Sequence, residues 1–207
     1  MRRIIVAAFL SLDGVIQAPG GPGEDTEGGF AYGGWIVPYV DQAFGDAMGE
    51  LFARPFELLL GRRTYDIFAA HWPNVPAEAE DRPLADLFDR ITKHVATHRP
   101  ETLGWRNSQG LGDDIIASLR TLKQQDGPDL LTQGSSELVH QLLATDLVDE
   151  LRLMVHPVLL GKGKRLFADD GKPAAFRLER SVASSSGVVI SHYVRAGEVR
   201  TGSFELA

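Results

Sequence analysis

The chain predicts an α/β fold: three layers, α/β/α, around a mixed and mainly parallel sheet with antiparallel strands at its C-terminal end. Three observations lead there. Short apolar runs alternate with stretches of helical period from residue 4 to residue 160, and strands alternating with helices imply a parallel sheet covered on both faces. Two segments of strand character, "FRLERSVASS" and "GVVISHYVRA", then follow one another with Gly187 at the turn. That is the pattern of an antiparallel pair, which mixed sheets commonly carry at an edge. Finally, no internal repeat or long linker interrupts the 207 residues, a length that suits one core, so 1–207 is read as a single domain.

The elements follow in order. Residues 4–12 read as a buried strand, and 39–53 set Val40, Phe44, Met48, Leu51 and Phe52 on one helical face. Residues 56–61 are a second strand, followed by a short helix over 64–70; 84–91 is helical and 94–97 a third strand. Asp113 and Asp114 open a helix running to Lys123, with acidic groups at the positive end of its dipole. Then come a strand over 129–132, a helix over 136–144 and a strand over 150–160. Between the first strand and the first helix lies "APGGPGEDTEGGFAYGG", residues 18–34. It is rich in Gly and Pro and has no period, which predicts a long surface loop of the kind that often acts as a lid.

Composition excludes several classes. There is no cysteine, so disulfides, thiolate zinc sites and cysteine nucleophiles are absent. The net charge is −7 with no dense Lys/Arg block, which argues against a nucleic-acid partner. No apolar run approaches the roughly 20 residues of a membrane-spanning helix. The opening "MRRIIVAAFLSLDG" ends its short apolar part in Asp13-Gly14, so it reads as a strand and not as a signal peptide. The expected location is the cytoplasm. The six histidines are scattered without ligand spacing, so no metal is expected.

In a parallel sheet ligands gather beyond the carboxyl ends of the strands, and three strand-to-helix turns stand out there. In "DLLTQGSSELVHQLL", Gly134 admits a close backbone approach, while Ser135 and Ser136 can cap the helix that follows. Its unpaired amides suit a pyrophosphate. In "LLLGRRTYDIF", Gly61 precedes Arg62, Arg63 and Thr64. Two cations at the positive end of a helix are unfavourable unless a counter-charge arrives. In "HVATHRP", Thr97, His98 and Arg99 follow a strand, and an arginine there can bind the extra phosphate of NADP. Each turn alone has a plainer reading as a capped helix start, a solvated arginine pair or a polar loop; the arginine pair at a dipole's positive end favours an anion, and together the three fit a dinucleotide laid across the strand ends.

The segments "LSLDGVI", "GRRTYDIFAAHWP", "LLTQGSSELVHQLL" and "LVDELRLMVHPVLLGKGKRLF" resemble the RibD C-terminal domain family, whose fold is dihydrofolate-reductase-like. The chain is similar to its stand-alone bacterial members over residues 2–195. The resemblance implies NADPH as cofactor, hydride transfer, and a homodimer. It implies that Gly61, Arg63 and Thr64 hold phosphate, and that Thr97 and Arg99 face the adenosine 2′-phosphate. Gly134, Ser135, Ser136 and Glu137 would line the pyrophosphate, with Asp13, Gly14, Val15 and Ile16 beside the nicotinamide. The implied activity is like that of 5-amino-6-(5-phosphoribosylamino)uracil reductase of riboflavin biosynthesis or of dihydrofolate reductase. The pathway enzymes carry glutamate where this chain has Thr132, which makes Thr132 a candidate pocket residue. Asp41, at the start of the first long helix, and Asp13 are the candidate proton donors beside an ordered water; Asp13 reads chiefly as a lining residue. Trp35 is a candidate pocket wall, and His156, before Pro157 in an apolar strand, reads as a satisfied structural histidine. The competing reading is a non-catalytic NADP-binding sensor that shares the same turns.

Overall fold

Seven consecutive residues that are β-branched, aliphatic or aromatic, Ile4–Leu10 (β1), are buried on both faces but for the half-buried Phe9, as a central strand requires. The computed structural model describes residues 1–204; residues 205–207 of the expected domain lie outside the described residues. After β1 come helix Gln42–Phe52 (α1), strand Phe56–Gly61 (β2) and helix Arg62–His71 (α2). Helix Arg82–Arg90 (α3), strand Lys93–Ala96 (β3) and strand Ser108–Gly110 (β4) follow, then helix Ile115–Gln124 (α4), strand Asp129–Gln133 (β5) and helix Ser136–Ala144 (α5). Strands Glu150–Val155 (β6), Ala175–Ala183 (β7) and Val189–Gly197 (β8) complete the order.

All eight strands form one sheet, ordered β4-β3-β2-β5-β1-β6-β8-β7. The first six in that order pair in parallel, and β8 joins β6 antiparallel, with β7 outside it. The carboxyl ends of β1, β2, β3, β5 and β6 therefore share one rim. Side-chain alternation divides the core. Ile4, Val6, Ala8 and Leu10 pack with Leu59, Leu130, Leu151 and Leu153 beneath Leu119 of α4 and Leu138, Val139 and Leu142 of α5. On the other face Ile5, Ala7, Leu58, Leu60 and Leu131 meet Tyr65 of α2 and Phe88 of α3. Farther along that face α1 covers Met154 and Ile190 through Phe44 and Met48.

Four features depart from expectation. The helix of 39–53 starts only at Gln42, because Asp41 caps it by accepting from Phe44 N–H and a 3-10 turn, Val37–Tyr39, precedes it. The strand of 150–160 stops at Val155; Pro157 lacks a donor and turns the chain. The segment after it returns to form a bridge between Val15 and Arg165. β4 carries no apolar pattern in its Ser-Gln-Gly. Lastly, the Gly/Pro-rich stretch is not an open flap. It delivers Ala18 and Phe30, with Trp35 and Ile36 just beyond it, into a buried cluster with Val15.

Candidate active site

Two of the three turns lock together at the rim. Ser135 Oγ accepts the Gly61 N–H at 2.9 Å, and Ser135 N–H donates to Thr64 Oγ1 at 3.1 Å. Ser135 adopts a left-handed φ of 55° to do so, next to Gly134 at 62°. A Cβ on Gly134 would stand 3.4 Å from Thr64 Oγ1, and one on Gly61 would stand 3.4 Å from Ser135 Cβ. These glycines thus serve the approach of one turn to the other as well as that of a ligand.

The consequence is electrostatic. The sequence predicted that Ser135 would cap α5; its hydroxyl turns instead to Gly61 and makes no bond to that helix. α2 likewise begins without a side-chain cap at Gly61. α1 and α4, by contrast, are capped by Asp41 and Asp114. Two uncapped helix starts, at Arg62 and Ser136, therefore sit side by side with their first-turn amides and dipole ends on one rim. Ser136 is half-buried there and Glu137 exposed.

The third turn joins through Arg62. Its guanidinium lies 3.4 Å from Thr97 Oγ1, 3.3 Å from the Arg99 carbonyl and 2.5 Å from Thr102 Oγ1, and it also pairs with Asp66 at 2.9 Å. Thr97 is buried and accepts the Arg99 N–H, while His98 and Arg99 are exposed. Arg63 points elsewhere. It meets Asp25 at 3.1 Å and Glu27 at 2.9 Å, carboxylates of the Gly/Pro-rich loop that Lys164 also holds, each at 2.6 Å. The counter-charge that the arginine pair requires comes from within the chain. Sequence reasoning missed Asp25, Glu27 and Lys164; the signal was "GEDTEGG", an acidic run in a loop otherwise made of small residues.

Beyond β1, Gly14 takes a φ of 79°, and Val15 and Ile16 are buried. Asp13 fastens this turn to the segment after β6. It accepts from Ser11 Oγ at 2.6 Å, Leu160 N–H at 3.1 Å and Gly161 N–H at 2.8 Å. The Ser11 bond first, then the two amides, hold its carboxyl down at about 2. Asp41 is pulled below the usual carboxylate range by the Phe44 amide, with Ser185 and Ser186 adding bonds at 2.9 Å and 3.0 Å. Both were candidate proton donors. Both are held ionised at neutral pH with their oxygens occupied, so each acts as a clasp.

The expected pocket pair separates. Thr132 follows Leu131 and shares the face of Leu130, the α4–α5 side, where its buried hydroxyl has no partner among the described residues. Trp35 lies on the opposite face, its ring 5.2 Å from that of His156. His156 also differs from expectation: it is wholly buried, and its Nε2 has no partner among the described residues.

Comparison with known proteins agrees with this architecture. The uncharacterized protein YyaP of Bacillus subtilis is 27% identical over 188 residues, covering 91% of this chain and 92% of that protein. YwjB of the same organism is 24% identical over 198 residues, covering 94% and 99%. A solved pyrimidine reductase-like protein from Corynebacterium diphtheriae superposes with a TM-score of 0.58 at 14% identity, covering 95% of this chain and 93% of its own. A diaminohydroxyphosphoribosylaminopyrimidine deaminase/5-amino-6-(5-phosphoribosylamino)uracil reductase from Thermotoga maritima does so with a TM-score of 0.60 at 15% identity, covering 94% of this chain and 57% of its own. At such identities the superpositions establish the fold, which is dihydrofolate-reductase-like. The model of the RibD C-terminal domain matches residues 2–190, and the chain belongs to that family.

Proposed function

We propose that the chain is an NADPH-dependent reductase that delivers hydride to a small, flat heterocycle. One observation carries the reading: two uncapped helix starts bridged by Ser135 stand beside Arg62 at a single rim. A diphosphate finds three kinds of donor there, first-turn amides, the hydroxyls of Thr64 and Ser136, and guanidinium groups, with the positive ends of two helix dipoles behind them. The residues fit the nucleotide at each of its parts. Gly134 leaves the backbone bare, Arg62 and Arg99 flank Thr97 for the 2′-phosphate, and Gly14 to Ile16 offer a turn with an apolar floor beside the nicotinamide. The bound nucleotide supplies the hydride, and the chain supplies orientation and exclusion of water. With Asp13 and Asp41 ionised, the proton comes from solvent at the rim.

The substrate resembles those of reductases in this fold in being planar. A phosphoribosyl substituent is disfavoured where Val15, Ile16 and Ala18 are buried beside the nicotinamide turn. No helix among the described residues is long and apolar enough to cross a membrane. A homodimer working in the cytoplasm, where NADPH is drawn upon, completes the proposal; light scattering checks the mass.

Titration separates this reading from its rivals. Replacing Arg62 and Arg99 with alanine should weaken NADPH about tenfold or more, the scale of a lost charge-assisted hydrogen bond. The same change should move NADH by less than about twofold. Equal losses for the two nucleotides would remove the 2′-phosphate assignment, and no binding of either would remove the function. Single-turnover oxidation of bound NADPH by a flat heterocycle distinguishes a reductase from a sensor.

A further inference from the structure

Of residues 20–29, only Asp25 is buried. The ends of this stretch are anchored by apolar packing, Ala18 before it and Phe30 after it, both in the cluster around Val15. A loop kept for architecture alone would bury an apolar side chain at its middle as well. Here the middle is held by charge. Asp25 sets one oxygen 3.1 Å from Arg63 and the other 2.6 Å from Lys164. Glu27 reaches the same two cations, at 2.9 Å and 2.6 Å. Gln17 adds main-chain ties: its amide nitrogen donates to the carbonyls of Asp25 and Glu27, each at 3.1 Å, while its oxygen accepts the Lys164 N–H at 3.0 Å.

The two cations come from different parts of the rim. Arg63 stands in the first turn of α2, directly after β2. Lys164 lies beyond β6, in the segment that folds onto the turn after β1. Its carbonyl accepts the Ile16 N–H at 2.8 Å, and the next residue, Arg165, bridges with Val15. In the strand order β5 falls between β2 and β1. A strap from Arg63 to the β1 turn therefore passes the carboxyl end of β5, where Gly134, Ser135 and Ser136 lie. It closes over the ground that the reductase reading gives to the diphosphate.

The hold is of a kind that a ligand can break. Glu27 and Arg63 are 51% and 54% exposed, and ion pairs that wet contribute little. Asp25 is 7% exposed. Its carboxylate cannot stay buried once its partners turn to another anion, because an unpaired buried charge is strongly unfavourable. The middle of the strap thus leaves as a unit, with Gly28 and Gly29, at φ 64° and 68°, as joints beside the Phe30 anchor. We infer that residues 20–29 are an autoinhibitory strap: Asp25 and Glu27 stand in for phosphate on Arg63 and Lys164, and a ligand bearing a diphosphate displaces them. The inference rests on the reductase reading of the rim and adds a gate to it. A nucleotide binds only the open form, so its measured affinity is the intrinsic one reduced by the open fraction.

The test follows main-chain amide exchange across residues 20–29 of the full chain, with inorganic pyrophosphate and NADPH as the two probes. Glu24, Glu27 and Gly29 donate their amides within the closed strap. A ligand that settles on a folded surface slows exchange beneath it, whereas displacement speeds it. Both probes should quicken these three amides by about tenfold, the change for a strap that is open about a tenth of the time when free. In the double variant Asp25→Asn, Glu27→Gln the three amides should exchange at the fast rate without ligand, and NADPH should bind about tenfold more tightly. The measurement on the native chain stands whether or not the variant folds. Slowed or unchanged strap amides under bound NADPH would overturn the inference and leave the reductase in place. So would tighter binding in the double variant whose strap keeps its native exchange, which is what through-space repulsion alone would give. Quickened amides with pyrophosphate, together with NADPH binding to neither chain, would remove the reductase and keep the strap as the gate of another diphosphate ligand. No response to either probe would remove both.

Discussion

Asp13 shows how a side chain that reads in sequence as lining a site can also fasten two distant segments in space. "LSLDGVI" announces an Asp-Gly turn after a strand, and the turn is there, with Gly14 at positive φ. No local pattern announces that the carboxylate reaches Leu160 and Gly161, nearly 150 positions away, because such a contact depends on where the segment after β6 folds back. Gly134 and Ser135 divide the same way. The glycine and the helix start were legible, whereas the bond from Ser135 to Gly61 joins two turns that are distant in the chain. His156 reads in sequence as a satisfied histidine, and its Nδ1 is bonded; that Nε2 has no partner among the described residues depends on packing that no local pattern carries. A test at this scale uses pH. The carboxyl of Asp13 is depressed to about 2 from an ordinary value near 3.8, so its bonds stabilise fully above about pH 4. They are lost as pH falls toward 2. Acid unfolding should therefore take up about one proton through Asp13 in that interval. In Asp13→Asn the pH slope of the unfolding free energy between pH 4 and 2 should fall by that one proton, and an unchanged slope would show that the clasp is not ionic.

Elements were more legible than contacts, because periodicity and capping are local. The bounds of α5 and β2 follow from pattern alone, since an apolar run ends in glycine and a helical period begins at once. β4 is invisible in the sequence: an edge strand of two polar residues and a glycine buries no face that could impose a period. The Gly/Pro-rich loop was read as a surface lid because its composition hides the role of Phe30, with Trp35 just beyond it, both buried. It remains tied to the candidate site by charge, with Asp25 and Glu27 on Arg63. Those carboxylates occupy a guanidinium that the family resemblance assigns to phosphate, so they would compete with a nucleotide for it. Glu27 is exposed and gives up little packing, so Glu27→Gln should tighten NADPH by at most about fivefold, as befits a weak exposed ion pair. The gain should shrink with added salt. Weaker binding in this variant would mean that the loop assists the nucleotide and does not compete with it.

The whole molecule couples the rim to its most protected strands. β1 lies between β5 and β6 and β5 between β2 and β1, so the carboxyl ends that make the rim belong to strands paired on both sides. β7 is an edge strand, exposed along most of its length, and far from the turns at Gly61 and Gly134 in the strand order. Opening of β7 can leave the rim intact, whereas exchange of the β1 and β5 amides requires the sheet itself to come apart. A nucleotide held at the rim stabilises only states in which the rim exists. At about 100 times its dissociation constant it contributes about 2.7 kcal/mol, equivalent to about 100-fold in the unfolding equilibrium. Amide exchange with NADPH at that excess should thus slow by about 100-fold at Ile5, Val6, Leu130 and Leu131. It should change by less than about twofold at Arg180 and Val182 in β7. Uniform slowing across all three strands would mean that β7 opens only with the rim. No slowing anywhere would mean that the native fold does not hold the nucleotide, because a ligand of the folded state cannot avoid raising the free energy of the opening that destroys its site.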